Sequence, residues 1–315
     1  LGSVAAATAV ALALPATAIA TNGMNLEGYG PIATGMGGAS MAYDNGTAAV
    51  MNNPATLGLM PEGNRIDAAL GMLGPDVAAE MDGMPKASSS GDSYYMPAFG
   101  WARRGGKLTY GAAVFAQGGM GTDYKSDSFL AAGSGEEVRS EVSVGRAVLP
   151  LVYSVDDRIK VGGSVDYVWA GMDLKMALSP NAFNSLNNGT AGELSGTLAS
   201  KFNNFLGMPG MSLDYARFDF SNESDYTGEA EGAGFAGKLG IVYDVSEELT
   251  FGATYHSETS LGDLETNNST MTASISGNPV ELEGDIKVKN FEWPSTFAIG
   301  AAYQASDRLL RVGDI

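Results

Sequence analysis

The chain is poor in histidine and cysteine, two residue types that often act as catalytic groups or metal ligands. Its 315 residues include one histidine and no cysteine, which excludes thiolate zinc sites, iron–sulfur clusters, cysteine nucleophiles and disulfides. The histidine, His256, is followed by Ser257 and Glu258. A lipase-like serine–histidine site therefore stays open, because such a site is assembled in space. We favour a structural histidine on the polar face of a strand.

One glycine motif suggests a nucleotide, but its context argues against it. Gly232, Gly234 and Gly237 match G-x-G-x-x-G, yet a strand pattern follows them where the dinucleotide motif needs a helix. No P-loop, H-E-x-x-H or G-x-S-x-G motif occurs. We predict no enzyme, no cofactor and no resident metal. The net charge of −18 argues against nucleic acid as a partner, since phosphates attract lysine and arginine.

The remaining charged candidates are acidic residues in polar stretches. They are either solvated loop surface or sites for divalent-cation bridges to lipopolysaccharide. The residues concerned are Asp123, Asp127, Glu136, Glu137, Asp263 and Glu265.

The elements that must position these residues alternate with a period of two. Val161, Val165 and Tyr167 fall on one face of a strand, whereas Lys160 and Asp166 fall on the other. Such strands meet a different solvent on each face. The same alternation recurs over residues 235–243, 249–255 and 297–303.

The connections between strands alternate between short and long. Short turns are predicted near residues 105, 156, 246 and 306, and long polar loops over about 76–93, 119–138, 174–226 and 260–283. One aromatic residue lies three positions before each short turn: Trp101, Tyr153, Tyr243 and Tyr303. A soluble β-sandwich would explain the alternation alone. The loop asymmetry and the aromatic row favour an outer-membrane barrel.

The predicted fold is therefore all-β, an antiparallel transmembrane β-barrel over residues 63–315. A ninth strand begins at Arg308, and because single-chain bacterial barrels have an even number of strands, we expect a C-terminally truncated barrel. The eight preceding strands are predicted at 64–74, 94–103, 107–118, 139–155, 158–173, 227–244, 248–259 and 285–304.

Two N-terminal segments differ from the barrel pattern. Residues 1–20 are apolar and end in Ala18-Ile19-Ala20, which is typical of a cleaved signal peptide, although a buried helix is the alternative. Residues 21–62 are rich in Gly, Ala and Met, carry few charges and show no strand alternation. We predict that they form a hatch inside the barrel rather than an exposed leader.

One helical stretch is predicted inside the longest loop, over residues 193–206. Its apolar stripe either caps the barrel mouth or forms an extracellular groove for ligand. The stripe consists of Leu194, Leu198, Phe202 and Phe205.

Three motifs stand out in the N-terminal segment: residues 35–39 (GMGGA), 42–45 (AYDN) and Asn53-Pro54-Ala55. They resemble the hatch of the FadL/TodX family of outer-membrane transporters. The segments 108–124 and 234–244, with Trp293-Pro294, continue the match. The resemblance implies a monomeric, fourteen-stranded barrel with an N-terminal helical hatch, in the outer membrane of a Gram-negative bacterium. It further implies import of long-chain fatty acids or aromatic hydrocarbons, with lateral exit at a kink in strand three.

The resemblance also assigns residues. Gly119, with Gly118, takes the position of the kink, and an ordinary bulge is the alternative. Met176 takes the position of an arginine that holds the ligand carboxylate in fatty-acid transporters, and its neighbour Lys175 should face the opposite side. Carboxylate recognition is therefore doubtful. Candidates for the ligand passage and hatch are Met36, Met41, Met51, Asn53, Pro54, Ala55, Leu57, Phe115 and Met176.

The sequence thus predicts facilitated diffusion of a hydrophobic small molecule, by a protein that contacts outer-membrane lipid and lipopolysaccharide. The alternative is a barrel that acts as an adhesin, a phage receptor or a structural anchor without transport.

Overall fold

A computed structural model describes residues 25–190, 195–222, 224, 227–267 and 269–315, without the side chain of residue 198. The predicted signal peptide, residues 1–20, lies outside these residues. The three α-helices are α1 (Pro31–Gly35), α2 (Pro180–Asn187) and α3 (Thr197–Leu206), and short 3₁₀-helices span Gly46–Val50, Pro54–Leu59 and Phe129–Ala131. Among the helices described, none combines the length and the apolar character that a membrane span requires.

Most of the chain forms one antiparallel sheet in which neighbouring strands pair in the order β1-β4-β5-β6-β7-β9-β10-β16-β17. The strands are β1 (Gly63–Leu73), β2 (Ala78–Ala79), β3 (Ala87–Ser88), β4 (Tyr94–Gly105), β5 (Leu108–Tyr124), β6 (Val138–Ser154), β7 (Ile159–Leu178), β8 (Leu213–Phe220), β9 (Ala230–Asp244), β10 (Leu249–His256), β11 (Ser260–Leu261), β12 (Leu264–Glu265), β13 (Ser269–Ile275), β14 (Asn278–Gly284), β15 (Lys287–Val288), β16 (Thr296–Ser306) and β17 (Leu309–Asp314).

Short turns join these strands at one end, where the sequence predicts them. The Asp156 side chain accepts hydrogen bonds from the N–H groups of Arg158 and Ile159, both at 2.8 Å. Ser246 plays the same part in the next turn and accepts from the N–H groups of Glu248 and Leu249. Short polar side chains that bond to the backbone in this way favour tight turns.

The burial of side chains is inverted relative to a water-soluble protein. Val165 is 63% exposed and Leu239 is 68% exposed, whereas Asp166 is fully buried and Lys238 is 3% exposed. The alternation predicted from sequence is therefore present, with the apolar face outward. An apolar outer face is stable when its solvent is lipid. We call the opposite face, which bears the buried charges, the inner face.

The predicted aromatic row lies on the outer face near the short turns. Tyr153, Tyr243 and Tyr303 are each between 42% and 47% exposed. Trp101 packs edge-on against Tyr110, with ring centroids 5.9 Å apart. Amphipathic rings at this height suit a boundary between hydrocarbon and water.

The N-terminal segment, residues 25–62, packs on the inner face along a glycine track. This name denotes four glycines of neighbouring strands: Gly162, Gly240, Gly252 and Gly300. A Cβ at Gly162 would lie 2.9 Å from the Ala55 nitrogen, and one at Gly252 would overlap the carbonyl oxygen of Met41. The missing side chains allow the backbone of the segment to approach the strands closely.

The end of the sheet opposite the short turns is more ordered than the sequence indicates. Residues 174–226 and 260–283 are not simply long polar loops, because they contribute β8, β13 and β14. Above Met172, β7 leaves β9 and pairs with β8, which pairs with β13. These strands do alternate, but over only seven or eight residues each. The apolar side, which includes Met271, Ala273 and Ile275 of β13, packs in a cluster with α2 and α3 rather than facing lipid.

Two strand boundaries also differ from the prediction. The third long strand, β5, runs on to Tyr124 rather than ending at residue 118. The last predicted strand, 285–304, is regular only from Thr296. Asn290 has a φ of 58°, and Pro294 lacks an N–H for a ladder, so the preceding residues cannot continue the sheet.

Candidate functional site

Neighbouring strands β4 and β5 separate partway along their length. Their pairing ends at Ala98 and Phe115. Beyond that point β4 continues to Tyr94 beside β1, and β5 continues to Tyr124 beside β6. Within residues 94–124, all of which are described, β4 and β5 form no further pairs. We call this opening the β4–β5 gap.

A cavity of about 190 Å³ lies at the β4–β5 gap. Its lining includes one carboxylate, Glu141, which accepts a hydrogen bond from Arg139 at 2.7 Å. The other large lining side chains are aromatic or apolar: Tyr94, Tyr95, Met96, Pro97, Val114, Phe115, Val142, Val144 and Trp169. This composition suits an apolar molecule or acyl chain.

A β-bulge in β5 lies beside the gap. Ala116 pairs with Gly145 and Gly118 pairs with Val144, so Gln117 is an extra residue. Gly119 follows with a φ of 152°, and a Cβ there would overlap the carbonyl oxygen of Val142 in β6. A bulge bends a strand and re-aims its side chains. The predicted residues Gly118 and Gly119 thus lie at the gap.

Beneath the gap, a cluster of charges is buried on the inner face. The Arg146 guanidinium donates from Nε to Gln117 Oε1 at 2.8 Å, from Nη1 to Asp166 at 2.7 Å and from Nη2 to Thr259 at 3.0 Å. Lys238 also forms an ion pair with Asp166. The opposite charges and hydrogen bonds compensate for burial.

His256 belongs to the same region and has a structural partner. Its Nε2 lies 2.7 Å from the carbonyl oxygen of Asn52, in the N-terminal segment. The Ser257 hydroxyl instead donates to the Glu258 carbonyl and accepts from the Gly237 N–H. These contacts direct the serine hydroxyl away from a catalytic pairing with the imidazole.

Asn53, Pro54 and Ala55, which the sequence predicts to belong to a hatch, form one turn that is docked on the inner face. Asn53 accepts from the Ala55 N–H at 3.1 Å and so caps the 3₁₀-helix that Pro54 opens. The preceding Asn52 bonds with both its oxygen and its nitrogen to the backbone of Tyr29, each at 2.9 Å. Burial raises the pKa of Tyr29 to about 12.

The predicted passage residues are distributed over three places. Met51, Leu57 and Phe115 belong to one buried cluster between the segment and the sheet. Met41 is buried on the glycine track. Met36 is 38% exposed and lies outside these packed groups.

Met176 lies in a second apolar cluster, with α2, α3 and β8. Its neighbour Lys175 instead donates to Glu137 at 2.6 Å. No register shift occurs between β6 and β7 at this level. Adjacent residues therefore face opposite sides, as the sequence predicts.

Of the two stripe residues of α3 whose side chains are described, one is buried and one is partly exposed. Phe202 is buried edge-on against Phe183, with ring centroids 5.1 Å apart. Phe205, however, is 37% exposed, and Leu206 packs in its place. A helical repeat of 3.6 allows either residue to share the face of Phe202, and tertiary packing selects the second. Leu194 and the side chain of Leu198 lie outside the described residues.

Two of the six acidic residues singled out in the sequence form ion pairs. Glu265 pairs with Lys287, and Glu137 pairs with Lys175. Over the part of the chain that the structure describes, no group of three or more histidine, cysteine, aspartate or glutamate residues is arranged to hold a metal ion.

Gln117, Arg146, Asp166 and Lys238 were not predicted as a group. Polar and charged residues are ordinary on the inner face of a membrane barrel, so their presence at these positions does not distinguish them. Their partners lie on different strands, 20 to 113 residues apart in sequence. Nothing in local spacing identifies such pairs.

Comparisons with known proteins agree with this geometry. Residues 7–307 match the family model described as outer membrane protein transport protein (OMPP1/FadL/TodX). The Pseudomonas putida toluene transporter TodX is 33% identical, with 92% of this chain and 70% of that chain covered and a TM-score of 0.81. The Ralstonia pickettii toluene transporter TbuX is 34% identical, with 92% and 71% covered and a TM-score of 0.74.

A curated relative covers a shorter stretch. It is an uncharacterized Chlorobium limicola protein from the 5′ region of a phosphoenolpyruvate carboxykinase gene, 51% identical over 74 residues, or 23% of this chain. The chain spans about a third of that relative, 36% of its length.

These matches confirm the predicted family, whose members are transport channels, not enzymes, of the outer membrane of Gram-negative bacteria. With nearly its whole length matched by the family model and a fold shared with TodX and TbuX, the chain belongs to the FadL/TodX family of outer-membrane transport proteins.

Proposed function

We propose that this protein carries uncharged hydrophobic molecules across the outer membrane by facilitated diffusion. The cargo leaves sideways, through the β4–β5 gap, into the lipid. The observation that carries this proposal is the loss of β4–β5 pairing beside the bulge at Gln117. A side exit keeps an apolar cargo out of water, which is worth about 0.8 kcal/mol for each buried methylene.

In this proposal residues 63–315 form the wall of a monomeric barrel in lipid and lipopolysaccharide, and residues 21–62 form its hatch. The similarity to TodX supports the barrel. The glycine track supports the hatch, because four strands lack side chains where the segment lies. A hatch that fills the bore blocks a straight aqueous path and leaves the side exit.

The proposed cargo is a hydrocarbon rather than a carboxylic acid. Met176 takes the position that an arginine holds in the fatty-acid transporters, and it packs in an apolar cluster. Lys175 is directed to Glu137, and Glu141 lines the gap. Glu141 is paired with Arg139, and the residues that line the cavity include no lysine or arginine, so a carboxylate cargo would find no cation among them. TodX and TbuX, the similar solved proteins, are toluene transporters.

The test is uptake by cells that carry the complete gene and lack their own transporters of this family. We expect radiolabelled toluene to enter faster than in cells with an empty vector, and oleate to gain little. Faster entry of oleate alone would refute the hydrocarbon assignment. No gain for either compound would refute transport.

Deleting residues 21–59 separates transport from the adhesin or receptor alternative. A transporter should change its uptake of hydrophobic compounds, because the hatch is removed. An adhesin should keep its surface binding and show no uptake to change.

A further inference from the structure

We propose that Arg146 is a positioning residue that holds the bulge of β5 in place and so keeps the β4–β5 gap open. This inference rests on the proposed side exit. It assigns to the buried charge cluster a role in the shape of that exit.

The hydrogen bonds of Arg146 reach three separate parts of the sheet. Its guanidinium bonds Gln117 in β5, Asp166 in β7 and Thr259 after β10. The fork is planar and rigid, so fixing two of its edges fixes the direction of the third. Asp166 is itself held by the Ser164 hydroxyl at 2.6 Å and by Lys238. Gln117 is therefore bonded to a donor that cannot easily turn away.

The bulge needs such an anchor because of its neighbours. Gly118 and Gly119 have no side chains, and glycine favours no single backbone conformation. Gln117 is the extra residue of the bulge, and its side chain is 5% exposed. Gly118 and Gly119 are held by their pairing with β6, whereas Gln117, the extra residue, is held by its hydrogen bond to Arg146. Without that bond the bulge is less constrained, and β5 can straighten toward β4.

The absence of cysteine allows a direct probe of the gap. Ser143 lies opposite Gly119 in the register of β5 and β6 and lines the cavity. Because these 315 residues contain no cysteine, a Ser143→Cys variant carries the single thiol among them. Its rate of labelling by a lipid-soluble maleimide in membranes reports access to the gap and does not depend on the cargo.

Three substitutions at Gln117 test the anchor in the Ser143→Cys background. Gln117→Leu keeps the size and removes the acceptor, whereas Gln117→Glu keeps an acceptor for Arg146. We expect the leucine variant to lower both labelling and toluene uptake by about tenfold, the change expected for a lost hydrogen bond to a charged group. The glutamate variant should stay near wild type. Gln117→Asn, one methylene too short to reach, should behave as leucine does.

The matched control is Gln304→Leu, which removes a glutamine bonded only locally, to the Ser306 carbonyl near a short turn. Heat-modifiable gel mobility verifies that each variant is assembled. If the Gln117→Leu variant does not assemble, the comparison of Gln117→Asn with Gln117→Glu tests the role of Arg146.

Unchanged labelling in the leucine and asparagine variants, or an equal loss in the glutamate variant, would overturn the role of Arg146. A different outcome separates the two proposals. If the wild type takes up no toluene, but labelling falls in the Gln117→Leu variant and not in the Gln117→Glu variant, the transport proposal fails and the positioning role of Arg146 is supported.

Discussion

The Asn53 amide nitrogen donates a hydrogen bond to the carbonyl oxygen of Ile241, 3.2 Å away, across 188 residues of sequence. The same nitrogen donates to the Met41 carbonyl at 2.8 Å. The Asn53 oxygen accepts from Ala55. One buried side chain therefore caps its own helical turn and also binds the N-terminal segment to β9.

Replacing Asn53 should loosen the docked segment. Asn53→Ala leaves the Met41 and Ile241 carbonyls without this donor, at a cost of about 1–3 kcal/mol for each buried group left unsatisfied. We expect cells with the variant to admit a small polar antibiotic that the wild type excludes. Sensitivity in a plate assay measures this effect. Asn188→Ala, at an exposed helix end, is the control, and equal resistance in the two variants would contradict a docking role for Asn53.

A side chain at Gly119 should disturb the bulge. Gly119→Val places a Cβ against the Val142 carbonyl and forces a β-branched residue to a φ near 152°, a strain of about 1–3 kcal/mol. We expect slower toluene uptake from a barrel that still assembles. Gly105→Ala in β4 meets no atom within 4 Å and serves as the control. Normal initial uptake rates in the Gly119 variant would argue against a side exit at this position.

The layer above the sheet should depend on Phe202 and hardly at all on Phe205. Phe202→Ala removes a ring that is 1% exposed and packed on Phe183, which should destabilise this layer by about 3–5 kcal/mol. Phe205→Ala changes a partly exposed ring, and its effect should stay within about 0.5 kcal/mol. Limited proteolysis of intact cells gives the comparison. Equal cleavage rates for the two variants would indicate that Phe202 and Phe205 contribute equally to packing, as the stripe predicted from sequence implies.

The outer face should reject charge where it meets hydrocarbon. Leu239 is 68% exposed on this face and lies about 13 Å along β9 from the aromatic Tyr243. Arginine at the bilayer midplane of a barrel costs about 2–4 kcal/mol. We expect Leu239→Arg to lose that much stability in urea titrations in lipid vesicles, and Leu239→Ile to lose little. A water-exposed face would tolerate both changes.

The lipid-facing strands were predictable because the polarity of each side chain indicates whether its face meets lipid or the inner side of the sheet. Val165 beside Asp166 is enough to mark two faces, and the alternation repeats in β9, β10 and β16. The strand Leu213–Phe220 alternates over only eight residues, and the apolar side that bears Ala216 and Phe218 packs in the cluster with α2 and α3 rather than facing lipid. The side of α3 that packs was not predictable either, since Phe205 and Leu206 compete for the same position and only the fold selects between them.

The candidate site was predictable only where a local motif marks it. Gly118 and Gly119 are visible as a glycine run, and Asn53-Pro54-Ala55 as a triplet. Arg146, Gln117 and Asp166 meet only when three strands are aligned in register, and the register depends on a bulge that sequence alone does not place.

The glycine track also constrains the order of assembly. Met41, near the start of the chain, lies against Gly252 and Gly300, which the ribosome makes more than 200 residues later. The surface on which Met41 packs does not form until β10 and β16 are in register. Contacts between distant parts of a chain also form slowly. In the proposed barrel, Met41 and the segment around it thus reach their final position only after these late strands have paired.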